Sequence, residues 1–184
     1  MGEPTITHLQ QAAYDAQASA ALPTSELAEA LFGGSSGTVP VRQAAAYLRA
    51  VQATPWFHAA FAGHTGPLEV VGGRGPSRTD TVTRQVKIGT EDRRDPGRCE
   101  HACLHELAHI VTNDLGADRE LREPVDGPDS SRGHHHAWRV NFVLIVRMAL
   151  GRQASSRLRR EFNEWGLPTF VGEPRRCVSP LTGS

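Results

Sequence analysis

Apolar residues recur at intervals of three and four positions along most of the chain, which is the spacing of amphipathic helices. Glycine and proline residues interrupt this pattern, and Gly33, Pro40 and Pro55 mark expected helix boundaries. The predicted helices are Thr5–Ala20, Glu26–Phe32, a segment between Pro40 and Pro55, a segment that begins at Pro96, His134–Leu150 and Ala154–Trp165. The pattern therefore indicates a protein built mainly of helices.

Two segments have the shorter period that is typical of β-strands. Leu68–Val71 is a short strand candidate, and the glycine-rich turn GGRGP follows it. Thr81–Ile88 alternates between two sides, which predicts a second strand. One of these sides carries Val82, Arg84, Val86 and Ile88. Short strands among several helices predict the α+β class, with a small mixed sheet.

The length of the chain limits the number of domains. With 184 residues and 39% hydrophobic content, the chain can bury one core, and nothing in it requires a second. We predict a single domain over residues 1–184. It would consist of a helical N-terminal part at 1–63, a core at 64–165 and an irregular tail at 166–184.

The apolar stretch CLHELAHIV contains the pentapeptide HELAH, on a helix for which Asp95 and Pro96 provide a good start. A helix turns by about 100° per residue, so His105 and His109 lie about 40° apart on one face, with roughly 6 Å of rise between them. Both rings can therefore bind one metal ion. Glu106 projects to the side, where it can accept a proton from a metal-bound water.

This polar face could also simply be solvated. His101 and Thr112 fall in the same sector as the two histidines. The opposite sector is apolar and carries Cys103, Leu104, Leu107, Ala108, Ile110 and Val111. Solvated helix faces are usually built from Lys, Arg, Glu and Gln, so a face of histidines favours metal binding.

A catalytic zinc ion normally takes three protein ligands and keeps one position for water, so a third ligand is needed. A metzincin would continue with glycine at position 112 and histidine at position 115, and Thr112 and Leu115 exclude that class. Glu120 and Glu123 could supply the carboxylate of a gluzincin-like site. Their segment, DRELREP, is however so charged that it is more typical of a solvated helix end or loop.

The histidine triplet His134 to His136 is a better source of the third ligand. On a helix, an apolar stripe continues from His134 through Trp138, Phe142, Ile145 and Ala149. His136 points about 200° away, toward Arg139 and Arg147, and is expected to be exposed. We therefore predict His134 as the ligand, with His135 as the alternative. A surface tract of histidines without a fixed ligand remains the other interpretation.

These residues resemble a known family, the small HExxH metallohydrolases of actinobacteria and their phages, which are themselves similar to SprT-like zincins. LHELAH matches the family's first element, and HHHAW with Phe142 matches its HGxxF-type helix if His134 takes the ligand position. The opening HLQQAAYDAQ resembles the family's QRxxVYxAE, and GRQASSRLRREFNEWGLP resembles its closing segment. The chain departs from the family at His135, often glycine, at Trp138, often phenylalanine, and at Gln17, often glutamate.

The resemblance implies a zincin-like fold with an HExxH active-site helix and flanking helices. In such proteins the edge of a strand beside this helix can hold an extended peptide. Here the resemblance implies that Thr81–Ile88 plays this part, although an ordinary sheet strand without a ligand explains the alternation equally well.

The expected function is that of a zinc-dependent hydrolase, and more specifically a metallopeptidase. The predicted ligands of Zn²⁺ are His105, His109 and His134, and Glu106 is the predicted general base. His135 and His101 are candidates for stabilising the oxyanion. Two alternatives are a non-peptide amidohydrolase with the same residues and a metal-stabilised binding module without turnover, for which the resemblance to SprT-like proteins implies nucleic acid as the partner. Iron, manganese or nickel could also occupy three imidazoles.

Composition narrows the choice of partner and compartment. Twenty basic residues balance twenty acidic ones, so no overall charge attracts nucleic acid or acidic lipid, and a peptide or protein is the expected substrate. The chain has no apolar run of about twenty residues and no signal-like start, which predicts a cytoplasmic protein without a membrane partner. The odd set Cys99, Cys103 and Cys177, without a C-x-x-C pair, argues against a disulfide framework and a cysteine-rich zinc site.

Overall fold

The computed structural model describes residues 12, 15–33, 37–114, 134, 136–167 and 169. Its helices are α1 (Glu26–Phe32), α2 (Val41–Gln52), α3 (Pro55–Ala60), α4 (Pro96–Asp114), α5 (His136–Leu150) and α6 (Arg152–Glu164). Short 3₁₀ turns cover Ala62–His64 and Asp92–Arg94, and residues 15–19 are also helical. Within this part of the chain, no helix has the combination of length and apolar character that crossing a membrane requires.

The strands are β1 (Glu69–Gly73), β2 (Arg78–Asp80) and β3 (Gln85–Gly89), and they form one sheet in the order β1-β3-β2. The central strand β3 is parallel to β1 and antiparallel to β2. Val86 marks the register, because it lies opposite Val70 on β1 and opposite Thr79 on β2. The predicted α+β class with a small mixed sheet is therefore confirmed.

A continuous hydrophobic core connects the helices to the sheet, and α4 runs through it. This helix packs against α2, α5, β2 and β3. The predicted apolar sector of α4 is fully buried, and so are Trp138, Phe142 and Ile145 in the predicted stripe of α5, whereas Ala149 is partly buried. In the opposite sector of α4, His105 and Thr112 are buried, and His101 and His109 are half-buried. This sector is therefore not a fully solvated face.

Local capping explains where two of the predicted helices begin. The Ser25 hydroxyl accepts a hydrogen bond from the Ala28 N–H at the start of α1, whose bounds match the prediction. Asp95 Oδ1 accepts one from the Arg98 N–H at 2.8 Å, and α4 begins at Pro96 as predicted. Helix α5 begins at His136, two residues later than expected. Most of the predicted helix Thr5–Ala20 and of the tail at 166–184 lies outside the described residues.

The predicted strand Thr81–Ile88 is wrong in its first half. Residues 81–84 form a turn between β2 and β3, and Val82 at this turn is 93% exposed. The Asp80 carboxylate accepts hydrogen bonds from the N–H groups of Val82 and Thr83, and these bonds compete with strand pairing. Arg84 has a φ of 54°, a left-handed conformation that ends the turn and does not occur within a strand.

The suggestion that Thr81–Ile88 binds an extended peptide through its edge is also wrong. The part that is a strand, β3, lies between β1 and β2 and is paired on both sides. Its backbone therefore has no edge to offer to another chain. The edge strand next to α4 is β2.

A buried polar network holds α4 against the N-terminal helices. Glu100 on α4 is fully buried, and its carboxyl group accepts hydrogen bonds from the Ser25 N–H at 2.8 Å, from the Ser25 hydroxyl and from the Tyr47 hydroxyl at 2.6 Å. Ser25 precedes α1 and Tyr47 lies on α2, so one carboxyl group links three helices. Burial, together with the neighbouring Glu100, raises the pKa of Tyr47 far above its usual value of 10.0.

The raised pKa of Tyr47 predicts a specific loss of stability in alkali. The unfolded chain ionises this tyrosine as the pH passes about 10, whereas the folded protein keeps it neutral, so its contribution is present below pH 10 and declines above it. We expect Tyr47→Phe to lower the free energy of unfolding at pH 7 by about 1 to 3 kcal/mol, because a buried hydrogen bond is lost. The variant should lose less further stability than the wild type between pH 7 and 10.5 in urea titrations. Parallel losses in the two proteins would contradict this assignment.

Candidate metal centre

The helix α4 brings two of the predicted ligands together. His105 and His109 are one turn apart, and their Nε2 atoms lie 3.2 Å from each other. His105 is buried and His109 is half-buried, and their ring centroids are 5.0 Å apart. The HELAH spacing therefore brings the two rings together as predicted, with both Nε2 atoms directed toward the same point.

The third predicted ligand reaches the same point from the segment before α5. The Nε2 atom of His134 lies 2.9 Å from that of His105, and the candidate ligand atoms of all three histidines are within 4.8 Å of one another. A tetrahedral zinc ion with Zn–N bonds of 2.0–2.1 Å requires its nitrogens to be about 3.3 Å apart. The two Nε2–Nε2 distances from His105 lie close to this value, and zinc accepts a donor set of three imidazoles.

Of the other residues considered as the third ligand, only His136 lies within the described residues. The prediction that His136 is exposed is wrong, because this residue is half-buried, and it does not belong to the group of three converging rings. The alternatives His135, Glu120 and Glu123 lie outside the described residues. That His134 binds a metal stays a prediction, but its ring, and not that of His136, occupies the place that such a ligand needs.

A buried arginine fixes the position of His134. The Arg139 side chain, which is 1% exposed, donates a hydrogen bond from Nη1 to the main-chain oxygen of His134 at 2.8 Å. The expectation that Arg139 lies on an exposed flank of α5 is therefore wrong. The helical wheel treats His134 as part of α5, but the residue precedes the helix, and the arginine folds inward to hold its backbone.

Trp138 forms an aromatic support beneath the three rings. Its ring centroid lies 4.7 Å from His105, 5.2 Å from His109 and 4.3 Å from His134. The indole is fully buried and stacks on Phe142 at 5.0 Å. This packing restricts the rotamers of the histidines, which favours a preformed site over one that a ligand must assemble.

Burial also favours the protonation state that a metal needs. Desolvation, followed by the proximity of His134 and His109, holds the pKa of His105 well below its usual range. The ring is therefore neutral near pH 7, and a neutral imidazole has the lone pair that binds a cation.

Glu106, the predicted general base, is held by the edge strand. The Thr79 hydroxyl on β2 donates a hydrogen bond to Glu106 Oε2 at 2.7 Å and lies 3.2 Å from the main-chain oxygen of Glu106. Burial of the carboxyl group raises its pKa to about 7, while the bond from Thr79 opposes this effect. A cation held by the three histidines would lower this pKa, because positive charge favours the carboxylate.

Gln17 also contacts one of the candidate ligands, and this role was not predicted from the sequence. Its Oε1 atom lies 2.9 Å from Nδ1 of His105. The sequence marks position 17 only as a departure from the family pattern, and 88 residues separate the two partners. No period of apolar residues connects positions so far apart, so this contact follows only from the fold.

A cleft of about 530 Å³ borders the candidate site. Its walls include the side of α4 that carries Arg98, His101, His105 and Glu106, and the turn that contains Gly75–Ser77. His101, a candidate for stabilising the oxyanion, lies 3.4 Å from the main-chain oxygen of Pro23, and burial lowers its pKa. Of the predicted site residues, His105 and Glu106 line this cleft.

No protein-family model, curated protein or solved structure matches this chain. The resemblance to the HExxH metallohydrolases of actinobacteria and phages thus stays a prediction that rests on its motifs.

The different positions of His134 and His136 predict different effects of their removal. Alanine at His134 removes one of three converging rings, so we expect zinc affinity to fall at least tenfold. Alanine at His136 should leave the affinity nearly unchanged. Elemental analysis of both variants, purified without added metal, measures occupancy, and circular dichroism checks that each is folded. Equal losses in the two variants would contradict the assignment of His134.

Proposed function

We propose that this chain is a zinc-dependent hydrolase of zincin-like fold, and specifically a metallopeptidase. The ion is held by His105, His109 and His134, and Glu106 is the general base. The convergence of three Nε2 atoms on one point is the observation that carries the proposal. The burial of His105 and His134 and the carboxyl group of Glu106 on the same helix as His105 support it further.

In the proposed reaction, the metal ion and the side chains have different roles. When bound, a divalent ion at this site would polarise a scissile carbonyl group and make a water molecule more acidic. Glu106 takes a proton from the attacking water and passes it to the leaving amine. The Thr79 hydroxyl donates a hydrogen bond to Oε2 of Glu106, and we therefore assign the proton transfer to Oε1. Trp138 and the other buried residues around the histidines exclude bulk water from the rings.

The shape of the cleft supports a peptide as substrate. The cleft follows α4 from Arg98 to His105, seven residues that rise by about 10 Å. An extended peptide rises by about 3.3 Å per residue, so roughly three residues of substrate fit along this wall. The same metal chemistry on a compact amide would leave most of the wall without a contact. This difference favours a peptidase over a non-peptide amidohydrolase.

Replacing the general base tests the proposed function directly. We expect Glu106→Gln to keep its zinc and its fold but to lose hydrolysis of a fluorogenic peptide library by a factor of about 10² to 10⁴. Removing zinc from the wild type with a chelator should abolish turnover, and adding zinc should restore it. His136→Ala is the matched control and should cleave like the wild type. Undiminished turnover by the glutamine variant would exclude the proposed mechanism, and cleavage of small amides alone would favour the amidohydrolase.

The hydrogen bond from Thr79 predicts a second, smaller effect on turnover. Thr79→Val keeps the shape of the side chain but leaves Glu106 without this donor. Hydrogen bonds to charged groups contribute about 1.5–3 kcal/mol, so kcat should fall roughly ten- to a hundredfold at unchanged zinc content. Thr79→Ser keeps the hydroxyl and should retain most of the activity. If Thr79→Ser reduces kcat while Thr79→Val does not, the threonine methyl group and not the hydrogen bond is responsible.

A further inference from the structure

The ring of His105 is engaged on both of its nitrogen atoms. Its Nε2 atom faces the Nε2 atoms of His109 and His134, at 3.2 Å and 2.9 Å. Its Nδ1 atom lies 2.9 Å from Oε1 of Gln17. A neutral imidazole carries hydrogen on one nitrogen and a lone pair on the other, so the partner of one nitrogen determines what the other can do.

An amide oxygen can only accept a hydrogen bond, which makes the contact with Gln17 selective between the two tautomers. With hydrogen on Nδ1, the ring donates to Gln17 and directs the lone pair of Nε2 toward the other two histidines. With hydrogen on Nε2, two lone pairs would face each other at 2.9 Å, and that arrangement is repulsive.

The segment that carries Gln17 is itself anchored in the core. Ala16 and Ala20 on either side of it are buried, and Ala12 one turn earlier packs against the same core. Small buried side chains allow this segment to approach α4 closely. Gln17 and Ala18 also line the cleft, so the segment forms both a wall of the cleft and a support for a candidate ligand.

We propose that Gln17 is a positioning residue of the metal centre, whose side-chain oxygen holds His105 in the tautomer that offers Nε2 to the ion. This inference rests on the metal site of the proposed function. Residues that accept from the second nitrogen of a ligating histidine typically change metal affinity by 10- to 100-fold when they are removed. Gln17 extends the metal centre to the N-terminal segment, 88 residues away from His105 along the chain.

The neutrality of Gln17 has a consequence of its own. A glutamate at this position could accept the same hydrogen bond with a charged oxygen. Charge-assisted hydrogen bonds are stronger than neutral ones, and a carboxylate partner makes the imidazole a better donor to the metal. An amide partner for His105 therefore gives a lower metal affinity than a carboxylate partner would. We expect Gln17→Glu to bind zinc more tightly than the wild type.

The tautomer can be measured in the metal-free protein. Long-range ¹H–¹⁵N correlation spectra of the histidine side chains, recorded at pH 7.5, distinguish a ring with hydrogen on Nδ1 from a ring with hydrogen on Nε2. We expect Nδ1–H for His105 in the wild type and loss of this single tautomer in Gln17→Met, which keeps the side-chain length but has no amide. His105 with hydrogen on Nε2 in the wild type would overturn the proposal, whatever the variants do.

Zinc affinity, measured in competition with a chromophoric chelator, gives the second readout. Gln17→Met should bind zinc 10- to 100-fold more weakly than the wild type, and Gln17→Glu should restore or exceed the wild-type affinity. Ser19→Ala, an exposed position on the same helical segment, is the matched control and should leave the affinity unchanged. Equal affinities of the wild type and Gln17→Met would overturn the proposal, and so would a loss in Gln17→Glu as large as that in Gln17→Met.

The two readouts also separate this proposal from the proposed function. If Gln17 changes zinc affinity as expected but the zinc-loaded wild type cleaves no peptide, the positioning role stands and the peptidase assignment fails. If peptide is cleaved while Gln17→Met binds zinc like the wild type, the peptidase stands and the positioning role fails. A wild type that binds zinc no better than His105→Ala would overturn both.

Discussion

The burial of several imidazole rings within one apolar core is the constraint on which this structure depends. A buried polar group costs free energy unless it has a partner, and His105 and His134 are almost completely removed from solvent. The partners come from separate elements: the Gln17 amide in the N-terminal segment contacts Nδ1 of His105, and the Nε2 atom of His134 lies against that of His105. The packing of the N-terminal segment and of His134 against α4 therefore brings polar groups together as well as burying apolar ones.

The parts of the molecule that follow from short-range periodicity could be predicted from the sequence. The bounds of α1, the start of α4 at Pro96 and the common face of His105 and His109 all depend on residues within a few positions of one another. The α+β class followed from the coexistence of the two periods. Local hydrogen bonding explains the main failure, since the Asp80 side chain bonds to the next residues and turns Thr81–Arg84 away from the sheet.

The supporting contacts of the site could not be predicted in the same way. Thr79 and Glu106 are 27 residues apart, and Gln17 and His105 are 88 apart. Neither pair has a signature in a periodic pattern, because each depends on how whole elements pack. Arg139 shows the limit of a helical wheel most clearly. A helical wheel predicts that a charged residue is exposed. Here the guanidinium of Arg139 is buried and donates a hydrogen bond to the main-chain oxygen of His134, which lies outside the helix.

The order of the site residues along the chain has a consequence for biosynthesis. A nascent polypeptide leaves the ribosome with its N-terminal end first, so the HELAH segment emerges well before His134. Until then only two of the converging imidazoles exist, which is fewer than the three protein ligands that catalytic zinc sites normally provide. Loading with the proposed ion must therefore wait until translation has passed the start of α5. Metal uptake by this protein would therefore be a late event in maturation.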